Sequence, residues 1–240
     1  MRIETLEITK EIENKLLKRV SNHFKFKIKN RDLPVYLGQV IEKAIIHVKK
    51  HGKPEAGYCF LPILDINKND IRTNAGSIKS KKITNLARCC QGDIFISFMI
   101  STLGLDFETF YKTEKFYNQF VFDIVGSECI QLVSDIFVNR FKAQTEMKHM
   151  ESTYRFSPGY CDWELDGQKT IFTAIDSEKL NVKINEYYIM SPVKTISSIT
   201  IISDMVPKKS PCDDCKKTGC VYRREEKIVV KEIHDNRLFT

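Results

Sequence analysis

The clearest hydrophobic pattern in this chain lies between Asp123 and Phe141. There Val125, Cys129, Leu132, Val133, Ile136, Phe137 and Phe141 recur every three to four positions. That is the period of an α-helix with one face in the core. Glu128, Gln131 and Asp135 stand three and four apart and share a neighbouring polar face of the same helix. A second helix is predicted from Pro34 to Lys50. Proline suits a first helical turn, where its fixed φ and missing N–H cost nothing. Val35, Leu37, Val40, Ile41, Ile45 and Val48 supply the apolar stripe, and His51-Gly52-Lys53-Pro54 stops it. Residues 5–20 fit a charged helix with Leu6, Ile12, Leu16 and Leu17 on its inner side, and Asp106–Lys115 fits a shorter one.

Strand signals fall between these. Ile94-Phe-Ile-Ser-Phe-Met-Ile100 is a continuous apolar run whose Ile and Phe content favours a buried strand. Phe60–Leu64 and Asp70–Thr73 read as short strands around the polar turn Asn67–Asp70, and Ile184–Met190, Ile196–Ser203 and Lys227–Ile233 as three more. Thr170–Asp176 fits either a strand or a short helix. Helices and strands are mixed without βαβ alternation, which predicts an α+β fold with an antiparallel sheet.

At 240 residues, with 42% hydrophobic and 29% charged residues, the chain can bury a full core. The expected organisation is a helical and mixed scaffold over 1–90, a ligand-binding core over 91–206 and a cysteine-rich segment over 207–240, forming one compact domain with appendages. The net charge of +7 is spread over Lys49-Lys50, Lys79–Lys82, Lys208-Lys209 and Arg223-Arg224 rather than gathered in one stripe. Nucleic-acid binding would need such a stripe, and no helix-turn-helix, stacking-aromatic or finger pattern accompanies the charge. A diffuse excess reads first as a solvated surface, and it suits equally docking onto an acidic protein partner or holding an anionic cofactor. No apolar run reaches membrane-spanning length, and Met1-Arg-Ile-Glu-Thr-Leu-Glu7 does not read as a secretory leader. Eight cysteines without a disulfide framework point to a reduced compartment, and the expectation is cytoplasmic.

Cys212-Asp-Asp-Cys215-Lys-Lys-Thr-Gly-Cys220 carries the metal signal. Two cysteines separated by two residues grip one metal from a single turn, and a third can close on it. Three thiolates suit an incomplete zinc set or an iron–sulfur cluster with an outside ligand. Cys161, Cys89, Cys90 and His234 are candidates for the fourth position, and a surface thiol cluster is the plain alternative. Cys59 and Cys129 sit in apolar contexts and read as core residues. His23, His47, His51 and His149 lie in lysine-rich stretches that read as exposed.

The most informative short motif is Arg155-Phe-Ser-Pro-Gly-Tyr160. It puts a fixed cation, a side-chain-free backbone and an aromatic ring within one turn, with Pro158 holding Ser157 extended. Arginine forks onto a carboxylate, glycine lets the backbone approach a ligand, and tyrosine stacks or hydrogen-bonds. A second block follows at Leu180–Ser198, where Asn-Glu-Tyr-Tyr-Ile-Met-Ser-Pro precedes a serine-rich segment.

In order and spacing the two blocks resemble the activation domain, the S-adenosylmethionine-binding part, of cobalamin-dependent methionine synthase in its short stand-alone form. The detailed resemblance covers about residues 120–203, with a looser extension back to Ser101-Thr-Leu-Gly104. It implies a curved, twisted antiparallel sheet flanked by helices. It also implies that Arg155 grips the methionine carboxylate, that backbone groups of Ser157 and Gly159 contact the ligand and that Tyr160 packs beside it. Glu186 falls where the family has its Glu before Met-x-Pro. Gln131 falls where the long helix usually offers a Glu to the ligand, with Glu128 one turn earlier able to compensate. The implied function is a reactivation module that presents S-adenosylmethionine for reductive methylation of cob(II)alamin. The cobalamin would be carried by a partner methyltransferase, most plausibly methionine synthase, since this chain lacks Asp-x-His-x-x-Gly. An electron donor is a further implied partner. The alternative is a non-catalytic accessory subunit, binding S-adenosylmethionine or a metal, in a corrinoid protein complex.

Overall fold

The computed structural model describes residues 1–27, 32–111, 114–143 and 149–207. In chain order the first half forms β1 (Arg2–Thr5), α1 (Lys10–Lys27), α2 (Val35–His51), β2 (Glu55–Pro62), β3 (Asp65–Ile66), β4 (Asp70–Thr73) and β5 (Gly76–Lys79). Next come α3 (Lys81–Arg88), β6 (Gln91–Thr102), α4 (Leu105–Tyr111), α5 (Phe116–Ala143) and β7 (Glu151–Ser152). The remainder supplies α6 (Gln168–Ala174), β8 (Lys183–Ile184), β9 (Met190–Ser191) and β10 (Thr195–Met205).

The organising element is a curled five-stranded antiparallel sheet of order β1-β2-β6-β10-β7. Its centre is the long pair β6–β10, in register from Thr102↔Thr195 to Ile94↔Ser203 and shifted by a bulge beyond. β2 pairs along the other side of β6 from Glu55↔Thr102 to Pro62↔Phe95. Because strand side chains alternate, each face of this sheet has its own core. Ile96, Phe98 and Ile100 of β6 join Ile199 and Ile201 of β10 on one face, against Ile71, Ile78, Ile83, Trp163 and Ile171. That layer holds the small sheet β3-β4-β5 together with α3 and α6. Ala56, Tyr58 and Met99 look to the opposite face, where α1, α2 and α5 pack. There the Tyr58 ring stacks on Phe141 of α5 with centroids 3.4 Å apart.

The α+β architecture predicted from the sequence is therefore the one observed. Several local expectations are corrected. The first helix does not cover residues 5–20: Arg2–Thr5 is an edge strand on β2, and the helix starts at Lys10. Its buried stripe is Ile12, Leu16, Val20 and Phe24, four residues apart, which leaves Leu17 turned to solvent. Val35 is exposed, because the first turn of α2 projects past the core. The long helix begins at Phe116, seven positions before Asp123. Thr170–Asp176 resolves as helix, with α6 ending where Ile175 turns extended. Ile184–Met190 is not a strand. Asn185 Oδ1 accepts the N–H groups of Tyr187 and Ile189 at 3.0 and 2.9 Å, and this turns the chain into a hairpin between β8 and β9. Lys227–Ile233 lies outside the described residues.

Candidate ligand-binding site

The Arg155–Tyr160 segment runs along the outer side of β10. Phe156 and Ile199 exchange both backbone hydrogen bonds at 2.8 Å, which fixes Arg155 at the margin of the sheet. α5 passes on its helix-bearing side. Arg155 Nε and Nη2 donate to Asp135 Oδ1 at 3.1 and 2.9 Å, and Nη2 also donates to Gln131 Oε1 at 2.9 Å. The Arg155 side chain is only 7% exposed, while that of Asp135 is 31% exposed, so the guanidinium is buried and the carboxylate partly open to water. The other oxygen of Asp135 accepts from Arg19 Nη2 of α1 at 3.2 Å. Two turns earlier Glu128 meets His23 Nδ1 at 2.8 Å, and both side chains are buried.

The polar face of α5 is thus divided among its neighbours. Gln131 meets Arg155 through its side-chain oxygen. Glu128 is turned toward α1 and held by His23. His23 itself is buried, against the expectation of an exposed histidine: the flanking lysines face outward while its ring lies between α1 and α5. Asp135, missed as a candidate, is the carboxylate that Arg155 engages. The signal was the spacing Glu128–Gln131–Asp135, which places all three on one face without saying which meets the loop.

The loop itself is a closed turn. Tyr160 N–H donates to Ser157 C=O at 3.2 Å, Gly159 N–H to Trp163 C=O at 2.8 Å and Trp163 N–H to Tyr160 C=O at 3.2 Å. Gly159 has φ +87°, in the left-handed region that glycine enters without strain. Ser157 is half-buried, and the Tyr160 ring stands in solvent. Two anchors fix the turn. The Trp163 indole is buried in the layer below, against Gly167, where an added Cβ would lie 2.2 Å from Nε1. Asp162 reaches the start of α3, accepting from Ser80 Oγ at 2.6 Å and from Lys82 N–H at 3.1 Å. Burial works against charge at Asp162, but these hydrogen bonds prevail and hold its carboxyl below the ordinary value.

Glu186 occupies a different place. It lines a groove of about 620 Å³ between Lys169, Phe172 and Thr173 on one side and Asn185, Glu186 and Tyr188 on the other. Neither Arg155 nor Gln131 is among the walls of that groove. Cys161 is exposed and has φ +58°. Among the described residues no three or more His, Cys, Asp or Glu side chains are grouped to hold a metal. Cys212, Cys215, Cys220 and His234, on which the metal expectation rests, lie outside the described residues. No helix among those described is long and apolar enough to cross a membrane.

No protein-family model matches the chain, and no curated protein matches it in sequence. The fold is more telling. A curled antiparallel sheet with helices packed on it has the fold of a methionine synthase reactivation domain. A solved example is the MetH reactivation domain bound to AdoHcy, which matches with a TM-score of 0.60 over 83% of this chain and 78% of that one. The sequences are 11% identical, so what the two share is the fold.

Proposed function

We propose that this chain binds S-adenosylmethionine against Arg155 and presents it to the cobalamin of a partner methyltransferase, most plausibly methionine synthase. The observation that carries this reading is the fold match, over 83% of the chain, to a domain that holds AdoHcy. AdoHcy is S-adenosylmethionine after its methyl group has left. The Arg155–Tyr160 turn and the carboxylate-bearing face of α5 supply the chemistry such a ligand needs. Arg155 offers guanidinium N–H groups to the methionine carboxylate. Asp135, shared between Arg155 and Arg19, holds the Arg155 guanidinium in place. Gln131 adds a neutral acceptor, and Tyr160 an aromatic face. Backbone groups of Ser157 and Gly159 border the ligand, Glu128 shapes the face through His23, and Glu186 stands on the wall of a separate groove.

No general acid or base is needed. The S–CH3 bond breaks with its electron pair staying on sulfur, and the methyl passes to cobalt that has gained one electron from a separate donor. The contribution of this chain is positioning. Calorimetric titration of the anaerobically purified protein with S-adenosylmethionine, beside Arg155→Ala, tests the reading. Saturable binding that the substitution abolishes supports it; intact protein that binds nothing overturns it. Methylcobalamin formed on mixing with an oxidised cobalamin methyltransferase and reductant then separates a reactivation module from an accessory subunit.

A further inference from the structure

The first turns of α2 and α5 lie together and turn a group of large apolar side chains to solvent. Phe116 is 87% exposed and Val35 80%, and Tyr36, Tyr117 and Phe120 are each about half exposed. Phe116 and Phe120 stand one turn apart on α5 with Tyr117 beside them, and the Tyr36 ring of α2 lies 5.6 Å from that of Tyr117. The Tyr36 hydroxyl donates to Asn118 Oδ1 at 3.1 Å, which fixes the two helix ends to each other. The five side chains therefore form one patch. At about 150–250 Å² per aromatic side chain, it presents roughly 600 Å² of apolar surface. That is the upper end of what a monomer exposes in one place, and patches of this size mark interfaces.

From this surface we infer that the chain pairs with a second copy of itself through Val35, Tyr36, Phe116, Tyr117 and Phe120. Area is the first argument: a standard interface buries about 800 Å² per partner, and the patch supplies its apolar centre. Charge is the second. Two copies that each carry +7 repel unless they meet where the charge cancels. Here Lys43 Nζ is paired with Glu114 Oε1 at 2.7 Å. Asp32 and Lys115, close in sequence to Val35 and Phe116, are exposed and of opposite sign. A two-fold axis through the rings can set the lysine of one copy against a carboxylate of the other. The Arg155 loop stays open in such a dimer, because Gln131 and Asp135 lie roughly 17–28 Å further along α5 at about 1.5 Å per residue.

Sedimentation velocity of the full chain, from sub-micromolar to millimolar concentration, reads the association directly. The parent should pass from monomer to dimer with a Kd on the order of micromolar, as suits a patch smaller than a standard interface. Phe116→Asp combined with Phe120→Asp changes solvent-facing positions, so the unfolding temperature should hold. The Kd should rise by about a hundredfold or more, the worth of two interface anchors. Leu64→Asp, exposed between β2 and β3, should dimerise like the parent. A parent that stays monomeric at every concentration overturns the inference. So does a dimer that survives the double substitution, or one lost equally in Leu64→Asp. A monomer whose patch variants instead lose binding to a cobalamin methyltransferase overturns it too, since that partner would then be the occupant.

Discussion

Arg155 and Asp135 are joined by two hydrogen bonds to one carboxylate oxygen, at 3.1 and 2.9 Å, across the gap between the loop beside β10 and the long helix α5. Asp135→Ala would take away the carboxylate that accepts two of the enclosed guanidinium's hydrogen bonds, and the cost of breaking such a pair exceeds the net worth of keeping it. With Asp135 partly open to solvent, the expected loss is roughly 2–4 kcal/mol of folding stability, read as a lowered urea midpoint at pH 7. Asp135→Asn keeps an acceptor and should lose less. Equal midpoints for the alanine variant and the parent would show that water takes over the role of the carboxylate.

The turn that follows Arg155 depends on two glycines for different reasons. Gly159 at φ +87° would bring an added Cβ to 3.3 Å from Leu165 Cδ1, a side-chain end that can give way, so Gly159→Ala carries chiefly the backbone cost, about 1 kcal/mol. Gly167 has ordinary dihedrals but no room, since an added Cβ would lie 2.2 Å from the Trp163 indole. Gly167→Ala must push that ring out of its packed place, at roughly 1–3 kcal/mol. Thermal unfolding of the two variants should therefore rank Gly167→Ala below Gly159→Ala, and tryptophan emission should shift only in the former. Trp163 is the sole tryptophan, so the signal has one source.

The sequence disclosed what periodicity and packing control, and concealed what depends on a specific partner. The stripe from Val125 to Phe141 and the β-branched run of β10 declared a helix and a strand because burial on one face fixes the repeat. The bend at Asn185 was hidden by the apolar residues on either side of it, since a single side-chain oxygen capturing two N–H groups overrides their strand propensity. His23 was misread because its neighbours in sequence face water while it faces Glu128, 105 residues away. The arginine loop was legible as a motif, and the carboxylate opposite it was legible only as one of three on a helix face.

Cysteine reactivity should divide along the same lines as burial. Burial pushes the Cys129 thiol up to about 12 and, with help from neighbouring Cys89, Cys90 to about 11. Thiolate is the reactive form, so both should resist alkylation at pH 7.5 in the folded protein. Cys161 is exposed and should be modified quickly. Peptide mapping after a short iodoacetamide pulse checks this; early label on Cys129 would mean that α5 opens far more readily than its packing implies.

Asp162 should couple the stability of the loop to acid. Its carboxyl lies below the ordinary value of 3.8 because Ser80 and the first N–H groups of α3 favour the charged form over the effect of burial. A depressed folded-state value means the unfolded chain takes up the proton first as pH falls. The stabilisation is therefore fully present above about pH 4 and disappears as pH drops through the folded-state value. Asp162→Asn cannot gain or lose this charge, so it should be less stable than the parent at pH 7 and converge with it as the pH falls below 3.8. Ser80→Ala removes one of the bonds that favour the carboxylate and should raise the midpoint of the acid transition. Because Asp162 lies seven residues beyond Arg155, ligand binding should share this acid limit if the clamp on α3 is what holds the turn in shape. A parent and an Asp162→Asn variant with parallel stability–pH curves between pH 2 and 7 would show that the Ser80–Asp162 contact contributes nothing to the fold.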